Sequence, residues 1–282
     1  MVDLTRPDGT PAVDLHVTRR AATSMFFAGY ALAAVSADAA PITTPAEGLT
    51  IDEVLIPNGA TRPLPAYVAR PNGVGRHAAI IVVNEIFGVH DYIKDVCRRL
   101  ARQGYVAIAP EFFYRSGVNL PALTDFKQIM PIVQQATPAQ VDGDVRAASD
   151  WLKGRPFVRP AGIGITGFCW GGTVVWRAAM TDPDVRAGVA WYGKLYTLIP
   201  RAGDVKAPVL GLYAEKDQGI PVSDVEAMRA ALKAAGRTGS SLRVYPGASH
   251  GFHADYRPSY NEAAAKDGWS RMLAHFRANG VG

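Results

Sequence analysis

Two cysteines, Cys97 and Cys169, are all that 282 residues contain. That is too few for a disulfide framework, and with no Cys-x-x-C pair there is no resolving thiol for dithiol redox chemistry. No Cys/His cluster has the spacing of zinc ligands. Internal repeats, low-complexity tracts and a glycine-rich phosphate loop are missing as well, so a cofactor-free, metal-free protein is expected. Basic residues are scattered and the net charge is only +5, which argues against a nucleic-acid partner. No apolar run reaches the roughly 18 residues that a membrane span needs, so stable membrane association is not expected.

What is present suffices for one large domain, since 48% of the residues are hydrophobic and single domains of this size are common. The N-terminus differs in composition. Arg19-Arg20, the apolar stretch from Ser24 to Val35 and then Ala37-Asp38-Ala39 follow the order basic pair, short apolar core, small-residue cleavage site. This resembles a twin-arginine export signal and implies a periplasmic location. A retained amphipathic helix on a cytoplasmic protein is the alternative. Residues 1–45 are therefore read as signal and linker, and 46–282 as the domain, with a monomer as the default state.

Within the domain, two short strands around an Asn58-Gly59 turn predict an antiparallel edge hairpin. From Ala78 onward, continuous apolar runs alternate with amphipathic helical patterns: 78–83, 105–109, 162–166, 186–192, 208–213 and 242–245. Such strands are buried on both faces, so the pattern predicts an α/β fold with a mostly parallel sheet, helices on both sides and no large cap domain. The segment 111–137 is the one candidate for a partial lid. Cys97 falls on the apolar face of a helix with Ile93, Val96 and Leu100, and is read as core.

Gly167-Phe168-Cys169-Trp170-Gly171-Gly172 puts a thiol where the nucleophile elbow of an α/β-hydrolase puts a serine. The flanking glycines suit a strained turn in which helix and strand approach too closely for side chains, and a bulky residue at Gly167 or Gly171 should break it. Ligands of such sheets bind beyond the carboxyl ends of strands, which directs attention to Asp217 and His250, each just after an apolar run. Nucleophile, acid and histidine then stand in the chain order of α/β-hydrolase triads. Glu215 competes with Asp217, and Asp217 could instead cap the helix beginning near Pro221. His253, read as a pocket or surface residue, competes with His250. His16, His77, His90 and His275 are read as structural. A thiol with an ordinary pKa near 8.5 is activated by a helix N-terminus and an imidazolium, and the backbone N–H groups of Trp170 and Ile86 are the expected oxyanion donors.

These marks, together with Asn84-Glu85-Ile86-Phe87-Gly88, Trp191-Tyr192-Gly193 and Ser249-His250-Gly251-Phe252, resemble the dienelactone hydrolases (carboxymethylenebutenolidases) from about residue 49 to the end. The resemblance implies a Cys-His-Asp triad that opens a carboxylate-bearing unsaturated lactone to maleylacetate through a thioester. It also implies that Glu85 is the family's thiol-modulating glutamate; a charge serving the following helix N-terminus is its structural alternative. Where the family has an arginine four residues after the histidine, this chain has Ala254. Arg257, Lys127 and Arg115 are the remaining candidates for the substrate anion, with Tyr192 and Phe252 among the candidate pocket aromatics. A broad carboxylesterase, or a binding scaffold that has lost its chemistry, are the alternatives.

Overall fold

A computed structural model describes residues 41–160 and 162–282; the export reading of 1–39 lies outside the described residues. Eight strands are hydrogen-bonded in one sheet: β1 (Leu49–Ile56), β2 (Leu64–Pro71), β3 (Ala79–Val83), β4 (Val106–Pro110), β5 (Ile163–Phe168), β6 (Val185–Trp191), β7 (Val209–Ala214) and β8 (Ser241–Tyr245). Their order is β1-β2-β4-β3-β5-β6-β7-β8. Only the β1/β2 and β2/β4 pairs are antiparallel; the other five are parallel. The predicted edge hairpin and covered parallel sheet are therefore both present. β3, β4, β5 and β7 are buried along their whole length, as continuous apolar runs require. Edge strand β8 is only partly covered, with Leu242 and Tyr245 buried on opposite faces and Arg243 exposed, a charge that discourages edge pairing.

The helices are α1 (Asp91–Arg102), α2 (Phe126–Gln135), α3 (Pro138–Lys153), α4 (Trp170–Thr181), α5 (Val222–Ala234) and α6 (Glu262–Ala278). α3 shows how local sequence sets a boundary. Thr137 and Gln140 form a reciprocal capping box, with Pro138 in the first turn, which satisfies backbone donors that a helix start leaves open. The two faces of the sheet can be read from β6. Gly188 abuts Val175 of α4, whereas Trp191, three residues on and so on the opposite face, abuts Gly268 of α6. Cys97 is fully buried, and burial pushes its thiol pKa up, consistent with a core residue.

The chain joins the domain before residue 46. Thr44 donates its N–H to Asp95 and accepts from Arg98 Nε at 2.7 Å, and Pro45 accepts from Arg102. Segment 111–137 holds two short 3-10 turns and α2, whose Asp125 cap accepts from Lys127 N at 2.9 Å and whose Ile129 and Val133 are buried. Among the described residues no helix is long and apolar enough to cross a membrane.

Candidate active site

The strand β5, turn, helix α4 sequence gives Cys169 φ 57° and ψ −114°. Only one other described non-glycine residue, Tyr192, has a positive φ. A side chain held in that region costs of order 1–3 kcal/mol and persists only where the surroundings over-determine it. Here they do. A Cβ on Gly171 would lie 2.5 Å from the Val83 carbonyl oxygen at the end of β3, and one on Gly172 would lie 2.6 Å from the Trp191 carbonyl oxygen at the end of β6. The first turn of α4 is thus wedged between two strand ends, and the Cys169 N–H donates to Trp191 O at 2.9 Å. The same contact holds the Val83 and Asn84 carbonyls, just before Ile86, against the helix that begins at Trp170.

Asp217 and His250 reach the thiol from the ends of β7 and β8. Asp217 Oδ1 accepts from the N–H groups of Gly219 and Ile220 at 2.9 and 3.1 Å, and its Oδ2 lies 2.6 Å from His250 Nδ1. One oxygen shapes the turn before α5 and the other orients the imidazole; the helix itself has Pro221 at its N-cap and no side-chain cap, so Asp217 is the histidine's partner and not the helix cap. Glu215 instead accepts from Gly247 N at an exposed position. Burial, the largest influence on His250, opposes its charge; the Asp217 carboxylate and a hydrogen bond with Cys169 outweigh it and raise the ring to about 10. At neutral pH the imidazolium is the stable form. Tyr192 meets this ring edge-on at 5.0 Å between centroids.

His253 is neither a pocket nor a surface residue. It is buried among Trp191, Trp269 and Phe168, with Nδ1 2.6 Å from Tyr92 Oη. Burial, aided by Arg99, lowers it to about 3, so it stays neutral. Phe252 is likewise enclosed, packed on Trp191, Tyr192 and Tyr245; it backs the site and does not line it.

Glu85, on the loop after β3, is fully buried in an assembly that sequence reasoning had not joined. Its Oε2 accepts from Tyr256 Oη at 2.5 Å, and its Oε1 lies 3.1 Å from Arg257 Nη2 as an ion pair without hydrogen-bond alignment. His90 Nε2 stands 3.8 Å away, so His90 is part of this cluster and not merely a loop residue. Burial alone would raise the Glu85 carboxyl, but Arg257, His90 and Tyr256 bring it down to about 2. The charge of Glu85 is matched by Arg257, not by the helix α1 that begins at Asp91.

The cations assigned to the substrate fall differently from expectation. Arg257 is buried and committed to Glu85 and Tyr256. Arg115 makes two bonds, 2.5 and 2.8 Å, to buried Asp144, because that carboxylate needs a partner inside the fold. Lys127 is exposed on the first turn of α2. A cation that sequence reasoning did not single out, Lys194, is half-buried after β6 and interacts electrostatically with Cys169 and Asp217. Its signal was legible as a polar residue just beyond an apolar strand. A groove of about 810 Å³ runs past His90, Glu111 and Leu120; it contains none of Cys169, His250 and Asp217, and so neighbours the site. Among the described residues no His, Cys, Asp and Glu side chains gather as metal ligands.

Comparison with known proteins gives one answer. Residues 64–280 match the sequence model of the dienelactone hydrolase family. A Methylorubrum extorquens protein named "Putative carboxymethylenebutenolidase" is 48% identical over 266 residues, covering 90% of each chain. A Bradyrhizobium protein named "Probable 2-oxo-3-(5-oxofuran-2-ylidene)propanoate lactonase" is 34% identical, covering 75% of this chain and 88% of its own. The crystal structure of a "Putative Dienelactone Hydrolase" from Klebsiella pneumoniae superposes with TM-score 0.76 at 44% identity, covering 81% of this chain and 98% of that one.

Proposed function

The chain belongs to the dienelactone hydrolase family and is a hydrolase of lactones or esters, and we propose that it acts through Cys169, His250 and Asp217 on unsaturated lactones that bear a carboxylate. The observation that carries this reading is the strained thiol at the head of α4, hydrogen-bonded to an imidazole that Asp217 holds at 2.6 Å.

In the first half-reaction the Cys169 thiolate attacks the lactone carbonyl carbon. The resulting oxyanion accepts from the N–H groups of Trp170 and Ile86, donors that need no reorganisation as charge develops. Collapse breaks the ring C–O bond, and the His250 imidazolium protonates the leaving alkoxide, giving an open-chain thioester. In the second half, neutral His250 takes a proton from water, hydroxide adds to the thioester carbonyl and the thiolate departs beside the imidazolium. Asp217 keeps Nε2 directed at the sulfur and stabilises the charged ring throughout.

Hydrolysis of dienelactone and of a nitrophenyl ester by the native protein and by Cys169→Ala tests the proposal. The variant is expected to lose at least about a thousandfold in kcat/KM on both, and equal rates would overturn a covalent thiol mechanism. Activity on the ester alone would favour a broad carboxylesterase, a reading helped by the commitment of Arg115 and Arg257 to internal carboxylates.

A further inference from the structure

The loop that delivers His250 has no regular structure of its own. Between the end of β8 at Tyr245 and the start of α6 at Glu262 there is neither helix nor strand. Backbone hydrogen bonds there close local turns: Ala254 N–H to Gly251 O at 2.9 Å, Arg257 N–H to Ala254 O at 3.0 Å and Tyr260 N–H to Arg257 O at 3.0 Å. Such turns fix the shape of a loop but not its place on the fold. Yet this loop carries the imidazole that meets Asp217, and the Tyr256 and Arg257 side chains that meet Glu85. Its placement depends on side-chain anchors.

Two of those anchors reach α1. His253 Nδ1 lies 2.6 Å from Tyr92 Oη, and Asp255 Oδ2 accepts from Arg99 Nη2. Tyr92, Asp95 and Arg99 stand three and four residues apart, which puts them on one face of the helix. Asp95 Oδ2 accepts from Arg99 Nε at 2.5 Å, so the guanidinium is pinned to its own helix at one edge and to the loop at the other. Tyr92, Asp95, His253 and Asp255 are all buried. A buried ion pair is a poor source of stability, because apolar residues of similar volume often serve as well or better. Ile93, Val96, Cys97 and Leu100 already seat α1 in the apolar core. What the polar stripe adds is a defined position for the loop it grips.

We propose that Tyr92 and Arg99 are positioning residues for the reaction: by holding His253 and Asp255 they set the loop on which His250 reaches Cys169 and Asp217. The assignment rests on Cys169 and His250 being the acting pair. A displacement of about 1 Å at a reacting group, caused far from the chemistry, can cost about a hundredfold in rate.

Arg99→Met, Arg99→Lys and Tyr92→Phe in the full-length protein test the proposal, with Cys169→Ala giving the background from buried Cys97. Tyr92→Phe keeps the ring and removes only the hydroxyl, and it carries the test if Arg99→Met does not fold. Alkylation by iodoacetamide is followed at pH 7 and at about pH 9.5. The ratio of the two rates reports the pairing of sulfur and imidazole, since only a paired thiol stays as reactive near neutrality as in alkali. That ratio is expected to fall about tenfold in Arg99→Met, less in Tyr92→Phe, and to recover in part in Arg99→Lys. On a nitrophenyl ester, kcat should fall about tenfold or more while KM changes less than about threefold. A lower melting temperature with a native alkylation ratio in Arg99→Met and Tyr92→Phe would make these contacts supports of the fold alone and overturn the proposal. If ester turnover survives in Cys169→Ala while the alkylation ratio still depends on Arg99, the thiol mechanism fails and the positioning of the histidine loop stands. If turnover needs Cys169 but the ratio is indifferent to Arg99 and Tyr92, the mechanism stands and the positioning assignment fails.

Discussion

Glu85→Gln tests the electrostatic argument about the buried cluster most directly. The carboxylate has no solvent contact, and Arg257, Tyr256 and His90 hold its pKa at about 2 against an ordinary 4.5. At about 1.4 kcal/mol for each tenfold shift in protonation, that fall corresponds to roughly 3 kcal/mol of folding free energy at pH 7. Removing one partner of a buried ion pair costs about 3–5 kcal/mol by an independent route, so the two figures agree. The substitution leaves the Arg257 guanidinium buried without its counter-charge, and we expect the variant to be less stable by about 3 kcal/mol in urea unfolding at pH 7. The sign with pH follows from the depressed value. The contribution is complete above about 4.5 and is lost as pH falls through about 2, so native and variant stabilities should converge on acidification. A double-mutant cycle with Arg257→Met isolates the pair: each single change should be costly, and the double change should cost clearly less than their sum. A Glu85→Gln loss under about 1 kcal/mol that does not vary between pH 7 and pH 3 would refute the reasoning. Since the same residue sits on the loop after β3 that packs against Gly171 of the elbow helix, turnover should fall as well, and the urea data separate that loss from misfolding.

The close contact of β6 with α4 makes Gly193→Ala a backbone clash that no rotamer relieves; a loss of about 2 kcal/mol or more and of most activity is expected. Gly143→Ala in α3, where an added Cβ meets nothing within 4 Å, should instead gain up to about 1 kcal/mol, and thermal melts of the two variants check both signs. The raised His250 pKa, about 10, means that the imidazolium is lost only as pH rises through that value. The alkaline limb of kcat should lie near it, and Asp217→Asn should move the limb toward neutrality. A pH–rate profile with an unmoved limb would remove Asp217 as the source of the shift.

The strand runs and the elbow were legible because their causes are local: continuous apolar runs mark strands covered on both faces, and Gly167, Gly171 and Gly172 mark a turn too tight for side chains. Chain order and strand-end position also favoured His250 and Asp217 over His253 and Glu215, and the 2.6 Å contact joins the favoured pair. The assignments of Arg115 and Arg257 to the substrate failed for a physical reason. A lysine or arginine in sequence carries its charge openly, and only packing decides which carboxylate claims it: Asp144 takes Arg115, and Glu85 takes Arg257.

The one-dimensional pattern of apolar runs and turn residues was enough to determine a doubly covered parallel sheet with a thiol at its sharpest bend, since each of those signals acts within a few residues. Tertiary structure alone decided which buried groups meet. Tyr256 meets Glu85 across 171 residues of chain, and His253 becomes a neutral core ring by the closing of Trp191 and Trp269 around it. Burial and ion pairing are properties of the assembled interior, set by distances that no local spacing encodes.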